Sequence, residues 1–430
     1  MEYRQYLGNS SKKNLFYNKR ITGNKLVFTH QTDWWTSKNI SGANEYVQLK
    51  YKKENDLDTF YILYIDYNYS ENYNYKWKLG KLDENKNFVE KFIYERSFSR
   101  QSNNFLEGFN IALANDYVIT LTGSKIQVFD TSLNLVNSYD FGNSYETFGD
   151  IEIIGDYAFF YLQYTASPNT FQIIKYNYTN GTYNSLNLGT LTPHSDIAGD
   201  TNYLGFTAGS SYHFFIVPFD LSSYADTGRV VSTLYPPVII NGDFIVFGDS
   251  LMRITSGNSL VWNYGSNYPK YLCSDYNENL YVYANNKIRL INKNDGTEIN
   301  VLTKPQPTIF WSVNQYNNFY FLSYELESGG YYFFVNEYDF YQTENGEAKL
   351  ILSKKIKLNI YLTSDKNTTW MRDINGNAFC TEKGNYIYAN SWIYIDGKYK
   401  LRLDWYRFEP AIPTGFFGLP LKTRESGGKK

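Results

Sequence analysis

Residues 277–301 read NENLYVYANNKIRLINKNDGTEINV. Three short apolar runs, NLYVYA from Asn279, KIRLIN from Lys287 and TEINVL from Thr297, are separated by Asn285-Asn286 and by Asn294-Asp295-Gly296. Asp-Gly between alternating segments is a hairpin signal, because the central residues of a tight primed turn need positive φ. The stretch therefore reads as strand, turn, strand, turn, strand.

The unit recurs. A small polar residue, then Asp or Asn, then an aromatic and an apolar run appears as NDYVITL at Asn115, GDYAFFYL at Gly155, TNYLGF at Thr201, GDFIVF at Gly242, NNFYFL at Asn317 and GNYIYA at Gly384, with a weaker copy, DTFYILY, at Asp58. Each is followed by a second strand such as KIQVFD, FQIIKYNY or HFFIVPFD. From Asp116 to Asn318 the copies start roughly 36 to 46 residues apart, close to the period of about 40 to 50 expected of propeller blades. The gaps from Thr59 to Asp116 and from Asn318 to Asn385 are wider. They leave room for an insertion or for a blade whose marker is hidden.

One hairpin cannot bury its apolar face, and an open sheet leaves hydrogen-bonding edges exposed. Radial stacking covers both faces of every unit and leaves only short edges. A sandwich or a solenoid is the alternative, but a solenoid has shorter rungs and a sandwich needs no such run of equal units. In these repeats the chain resembles the β-propeller superfamily in its quinoprotein-like and WD-like style, over roughly residues 45–409. The resemblance implies an all-β fold, a single β-propeller of seven or eight four-stranded blades with an N-terminal arm and a short irregular C-terminal tail. The expected boundaries are 1–40 for the arm, 41–409 for the propeller and 410–430 for the tail, with Leu26 to Thr29 a candidate ring-closing strand. The Gly-His and Trp-Asp dipeptides of WD repeats are absent, as is the Trp-rich docking motif of quinone-binding dehydrogenases. No quinone or other cofactor is implied.

Composition agrees with strands. Of 430 residues, 44 are Tyr and 30 are Phe, types that pack well on a pleated surface. Lys+Arg 41 against Asp+Glu 43 gives a formal charge of -2, which argues against a generic partner among nucleic acids or anionic membranes, since those demand a basic surface. The start of the sequence lacks the apolar core of a signal peptide, and no stretch reaches the roughly 20 apolar residues of a membrane span. A chain made in the cytosol is the expectation. Cys273 and Cys380 are too few and too distant for a disulfide framework.

Chemistry-bearing patterns are sparse. His30, His194 and His213 show no zinc spacing, and no G-x-S-x-G is present. DENKN from Asp83 and DINGN from Asp373 echo calcium loops but lack the distal Glu, so both read as blade turns. TSDKNTTW resembles the Asp-box of sialidase-type propellers, with Thr363, Asp365, Thr369 and Trp370 on its defining positions and Asn367 in place of Gly. That resemblance implies a structural turn. A sialidase would also need three arginines gripping a carboxylate, and the spacing of Arg96, Arg100, Arg229, Arg253, Arg289, Arg372, Arg402 and Arg407 does not single out a triplet. In the tail, Phe416, Phe417 and Leu419 are candidate anchors of a docking peptide.

The expectation is a non-enzymatic scaffold whose partners are other protein subunits, as in a viral or phage tail, baseplate or capsid-attached protein, with the virion as its location. A carbohydrate-binding, host-recognition propeller is the alternative, and a sialidase-like glycoside hydrolase the second alternative.

Overall fold

The computed structural model describes residues 25–35, 47–68, 74–83, 85, 87–97, 109–166, 168–231, 237–265, 270–274, 279–285, 287–305, 309–313, 318–327, 330–342, 348–363, 375–381, 384–395 and 398–409, with side-chain detail for most residues between 47 and 357. These form eight four-stranded antiparallel sheets and no helix. Seven are simple meanders: blade 1 spans 47–97, blade 2 109–140, blade 3 145–189, blade 4 198–230, blade 5 238–264, blade 6 270–303 and blade 7 309–363. Blade 8 takes three strands from 375–409, and its outer strand is Lys25–Trp35 from the start of the chain. Leu26 pairs with Phe408 and Trp35 with Lys400. That strand also packs against Leu57–Asn68 of blade 1, and the first strands of blades 1 to 5 pack successively on one another. The sheets therefore close into a ring, with first strands at the axis and fourth strands outside. The molecule is an eight-bladed β-propeller.

Each aromatic marker lies where the first strand turns into the second. Asn55 and Asp56, Asn115, Gly155, and Asn241 with Gly242 hold positive φ there, which is why the sequence spends Asn and Gly at these points. The turn between third and fourth strands is built differently. In the opening stretch, Asn292 N bonds Thr297 O, Gly296 N bonds Asn292 O, and Asn292 Oδ1 caps Asn294 N. Gly296 (φ 71) is the residue with positive φ in this turn. The Asp-Gly is thus part of a longer capped loop with one left-handed residue, where the sequence suggested a two-residue turn. Asp130 and Asn177 open similar loops, with Leu133 and Gly181 left-handed.

The core sits between blades. Along Tyr157–Tyr164, Ala158, Phe160 and Leu162 pack with Ile119, Leu121, Ile126 and Val128 of blade 2. Phe159 and Tyr161 pack with Leu204, Phe206 and Val217 of blade 4. Period-two alternation thus feeds two separate cores from one strand, and the second and third strands read as nearly continuous apolar runs because both faces are covered. Blades approach closely at Gly205, where an added Cβ would lie 2.7 Å from carbons of Phe214 and Phe244.

Polar staples repeat at these seams. A donor on the third or fourth strand of one blade reaches a carbonyl in or beside the third-to-fourth turn of the next. Lys81 Nζ donates to Thr131 O (2.7 Å) and Lys91 Nζ to Leu133 O (2.7 Å). Asn137 Nδ2 reaches Tyr178 O (3.0 Å), Lys175 Nζ reaches Phe219 O (3.1 Å), Arg229 Nη2 reaches Asn258 O (3.2 Å) and Arg253 Nη1 reaches Lys293 O (2.9 Å). Turn carbonyls cannot be satisfied within their own ladder, so the neighbouring blade supplies the donor.

Candidate functional site

Two regions stand out, one at the axis and one on the outer rim. At the axis, strand Tyr145–Ile154 carries a bulge between Phe148 and Glu152. The bulge swings Asp150 and Glu152 towards neighbouring first strands. Asn110 of blade 2 donates through Nδ2 to Asp150 Oδ1. Asp150 N donates to Asp196 Oδ1 at 2.6 Å, and Gly199 N donates to Glu152 Oε1 at 3.3 Å. The three carboxylates thereby stitch blades 2, 3 and 4 together.

Crowding three acids in partial burial has an electrostatic cost. Burial, with repulsion from Asp150 and Asp196, pushes the Glu152 carboxyl up to about 7. Burial and Asp150 push Asp196 up to about 6. Lys50 of blade 1 offsets part of this in both cases. Acids with such values occur in catalytic pairs, but here one oxygen of each is held by a backbone or amide donor of the ring itself. Among the described residues no group of three His, Cys, Asp or Glu is arranged to hold a metal.

The outer rim is apolar to an unusual degree. Val89 and Phe92 of blade 1, Leu135, Val136 and Tyr139 of blade 2, Tyr183 of blade 3, Val230 of blade 4, Leu260 and Val261 of blade 5, Ile299 of blade 6, and Ile351 and Leu352 of blade 7 are between 36% and 56% exposed. All lie on fourth strands. Across the seam of blades 2 and 3 the rings gather: Tyr139 meets Tyr183 edge-on at 4.8 Å and Phe141 at 4.8 Å, and the two tyrosine hydroxyls lie 3.3 Å apart.

The residues singled out in the sequence fall elsewhere. Thr363 ends the fourth strand of blade 7, its backbone opposite Gly330. Asp365, Thr369, Trp370, Phe416, Phe417 and Leu419 lie outside the described residues. Arg229, Arg253 and Arg289 sit in three different blades, bound to Asn258, to Asp243 and to Glu298 respectively. They do not converge on the axis. His194 bonds Gly209 O and His213 pairs with Asp226, both within one blade. Asp83 caps Asn87, as a turn. Sequence reading missed the axial carboxylates, whose only signal was two acids, Asp150 and Glu152, interrupting a first strand.

No protein family and no curated protein matches the sequence. Solved structures are similar at a distance. The Dos1 propeller shares 8% identity, covering 87% of this chain and 95% of that one, at a TM-score of 0.47. A europium-containing methanol dehydrogenase shares 9% identity over 94% and 96%, at 0.39. The WD40 domain of Neurospora crassa Pan2 shares 8% over 90% and 96%, also at 0.39. Likenesses this remote say nothing about function.

Proposed function

We propose that the protein is a non-enzymatic scaffold that docks other protein subunits on its rim. The observation that carries this reading is the set of exposed apolar side chains on the fourth strand of every one of blades 1 to 7. Exposed apolar residues scattered singly need no explanation, but a recurring belt on open strand edges marks an interaction surface. The belt is also rich in Tyr, which gives large contact area at low entropic cost. The finer reading is a structural subunit of a viral or phage particle, a role suited to a ring whose outer strands offer repeated docking edges. Cross-linking of the assembled particle tests it. Lys91, Lys125 and Lys349, on or beside the rim, should cross-link to other subunits. A chain absent from particles, or cross-linked only to itself, would sink the reading.

A second reading is favoured by the Tyr139, Phe141 and Tyr183 cluster, whose exposed rings and hydroxyls suit a sugar of a surface glycan. Glycan-array binding lost in Tyr139→Ala and Tyr183→Ala would support it, and an array without hits would refute it.

A further inference from the structure

Blade 7 has an edge that the ring does not use. Its second strand, Asn318–Glu327, pairs with the first strand only from Phe319 to Leu322. It then runs on from Ser323 to Glu327, where its other side pairs with residues from Phe334 back to Gly330. Among the described residues no strand faces the inner side of Ser323–Glu327. The segment that would extend the first strand along this edge is the chain's own approach to Ile309, and it reads Lys304-Pro305-Gln306-Pro307-Thr308. Two prolines without N–H groups cannot supply a regular ladder. The sequence itself keeps the edge open.

We propose that Ser323–Glu327 receives an extended segment of a partner protein, added as a strand in line with the first strand of blade 7, with a Lys or Arg of that segment beside Glu325. This rests on the scaffold reading and deepens it by naming the kind of partner. An unpaired edge offers alternating N–H and C=O groups, which select an extended backbone. Glu325 is exposed and already draws one cation, Lys355 Nζ, from the fourth strand, so its free side favours a second.

Other occupants fit less well. The chain's own ends leave from the opposite end of the blades: Lys25 pairs with Glu409, while the overhanging part of blade 8, Ser391–Ile395, pairs with residues between Lys398 and Arg402. The strand Lys398–Glu409, 12 residues and so about 40 Å long, separates the tail from the open edge. In a second copy, symmetric antiparallel pairing centred on this edge would set Glu325 opposite Glu325, a like-charge contact that destabilises the pair.

The test uses the full chain and three blocked heptapeptides at up to millimolar concentration: one alternating Val and Lys, one alternating Val and Glu, and the first with Pro at its central position. Hydrogen exchange should show protection of the Ser323–Glu327 amides with the Val/Lys peptide and none with the Pro version. Anisotropy of labelled peptides should show a preference of about two- to five-fold for Val/Lys over Val/Glu, the size expected of one cross-strand charge pair. The double variant Glu325→Lys/Lys355→Glu, which keeps the internal ion pair with its sense reversed, should invert that preference. Protection appearing on the fourth strands instead, equal binding of the Pro peptide, or an unchanged preference in the double variant would overturn the proposal. So would protection that grows with protein concentration in the absence of peptide, which would assign the edge to a second copy. Rim cross-links in the particle report on the scaffold reading separately, so either can fail alone.

Discussion

Blades 2 to 6 and blades 7, 8 and 1 meet the same axis with strands of different length. Second strands in the first group run from five to eight residues. In the second group they run 10, 12 and 12. At about 3.3 Å per residue, that is roughly 17–26 Å against 33–40 Å. The first strands of the long blades stay at five, seven and eight residues. Only the outer three strands of these blades are extended, and the overhangs all lie at the end where the second strand turns into the third. The axis fixes one height for the ring, and the extra length on three adjacent blades forms a wall beside the closure seam. Burial between blades accounts for the short arc; the wall must be explained by something outside the ring.

The contrast breaks if truncations cost the same in both regions. The largest effect is expected in the short arc. Phe160, fully buried between blades 2 and 3, should lose about 3–5 kcal/mol on change to Ala, visible as a lower midpoint in urea with an unchanged slope. A loss under 1 kcal/mol would mean that seam packing is not what holds the arc together.

The axial carboxylates should give the next largest effect, with a sign set by pH. Burial raises the Glu152 carboxyl from about 4.5 to about 7, so the folded state holds more protons than the unfolded chain between those values. Stability is therefore fully supported by this group below about 4.5, declines as pH rises, and is lowest above 7. Glu152→Gln removes the charge and should raise stability at pH 8 by at most about 3 kcal/mol, with little gain at pH 5. Thermal melts of both forms across this range check it. A variant that gains equally at pH 5 and 8 would show that the charge is not the cause.

A staple should come third. Lys175 donates to Phe219 O and sits 3.7 Å from the centre of its ring and 4.3 Å from that of Tyr157. Lys175→Met keeps the apolar stem but strands the carbonyl and loses the cation–π contact, which should cost about 1–3 kcal/mol. Equal stability in chemical denaturation would reduce the staples to decoration.

Much of this was legible in the sequence, for physical reasons. Eight aromatic markers correspond to eight blades, because a positive-φ turn followed by a doubly buried strand constrains residue type strongly. Asn115-Asp116-Tyr117 and Gly155-Asp156-Tyr157 show the constraint plainly. The wide gaps before Asp116 and Asn385 hide neither an insertion nor a further blade. They are the long strands themselves, such as Ala348–Thr363 with 16 residues. Fourth strands were harder to read. Ala225–Val230, ADTGRV, alternates between exposed and half-buried residues with little apolar content, so local pattern alone does not announce it. The two-residue first strand Ala198–Gly199 is below any sequence signal. The axial acids stayed hidden because their proximity arises from a bulge and from ring closure, which bring together residues 46 apart such as Asp150 and Asp196.

The smallest effect should come from the wall, and its size decides whether the wall is there for the ring's stability. Lys355 pairs with Glu325 and lies 4.5 Å from the centre of the Phe334 ring. Both charged groups are substantially exposed, with side chains 38% and 49% accessible. An ion pair of this kind contributes about 0–1 kcal/mol and weakens as salt screens it. Lys355→Ala should therefore shift the urea midpoint little in 0.1 M salt and not at all in 1 M. If it costs as much as Phe160→Ala, the overhang is part of the folding core and the division between arc and wall fails. If the cost is small, as the exposure of the pair implies, the three-blade wall persists without contributing much to the ring, and an extended partner along Ser323–Glu327 gives it a use.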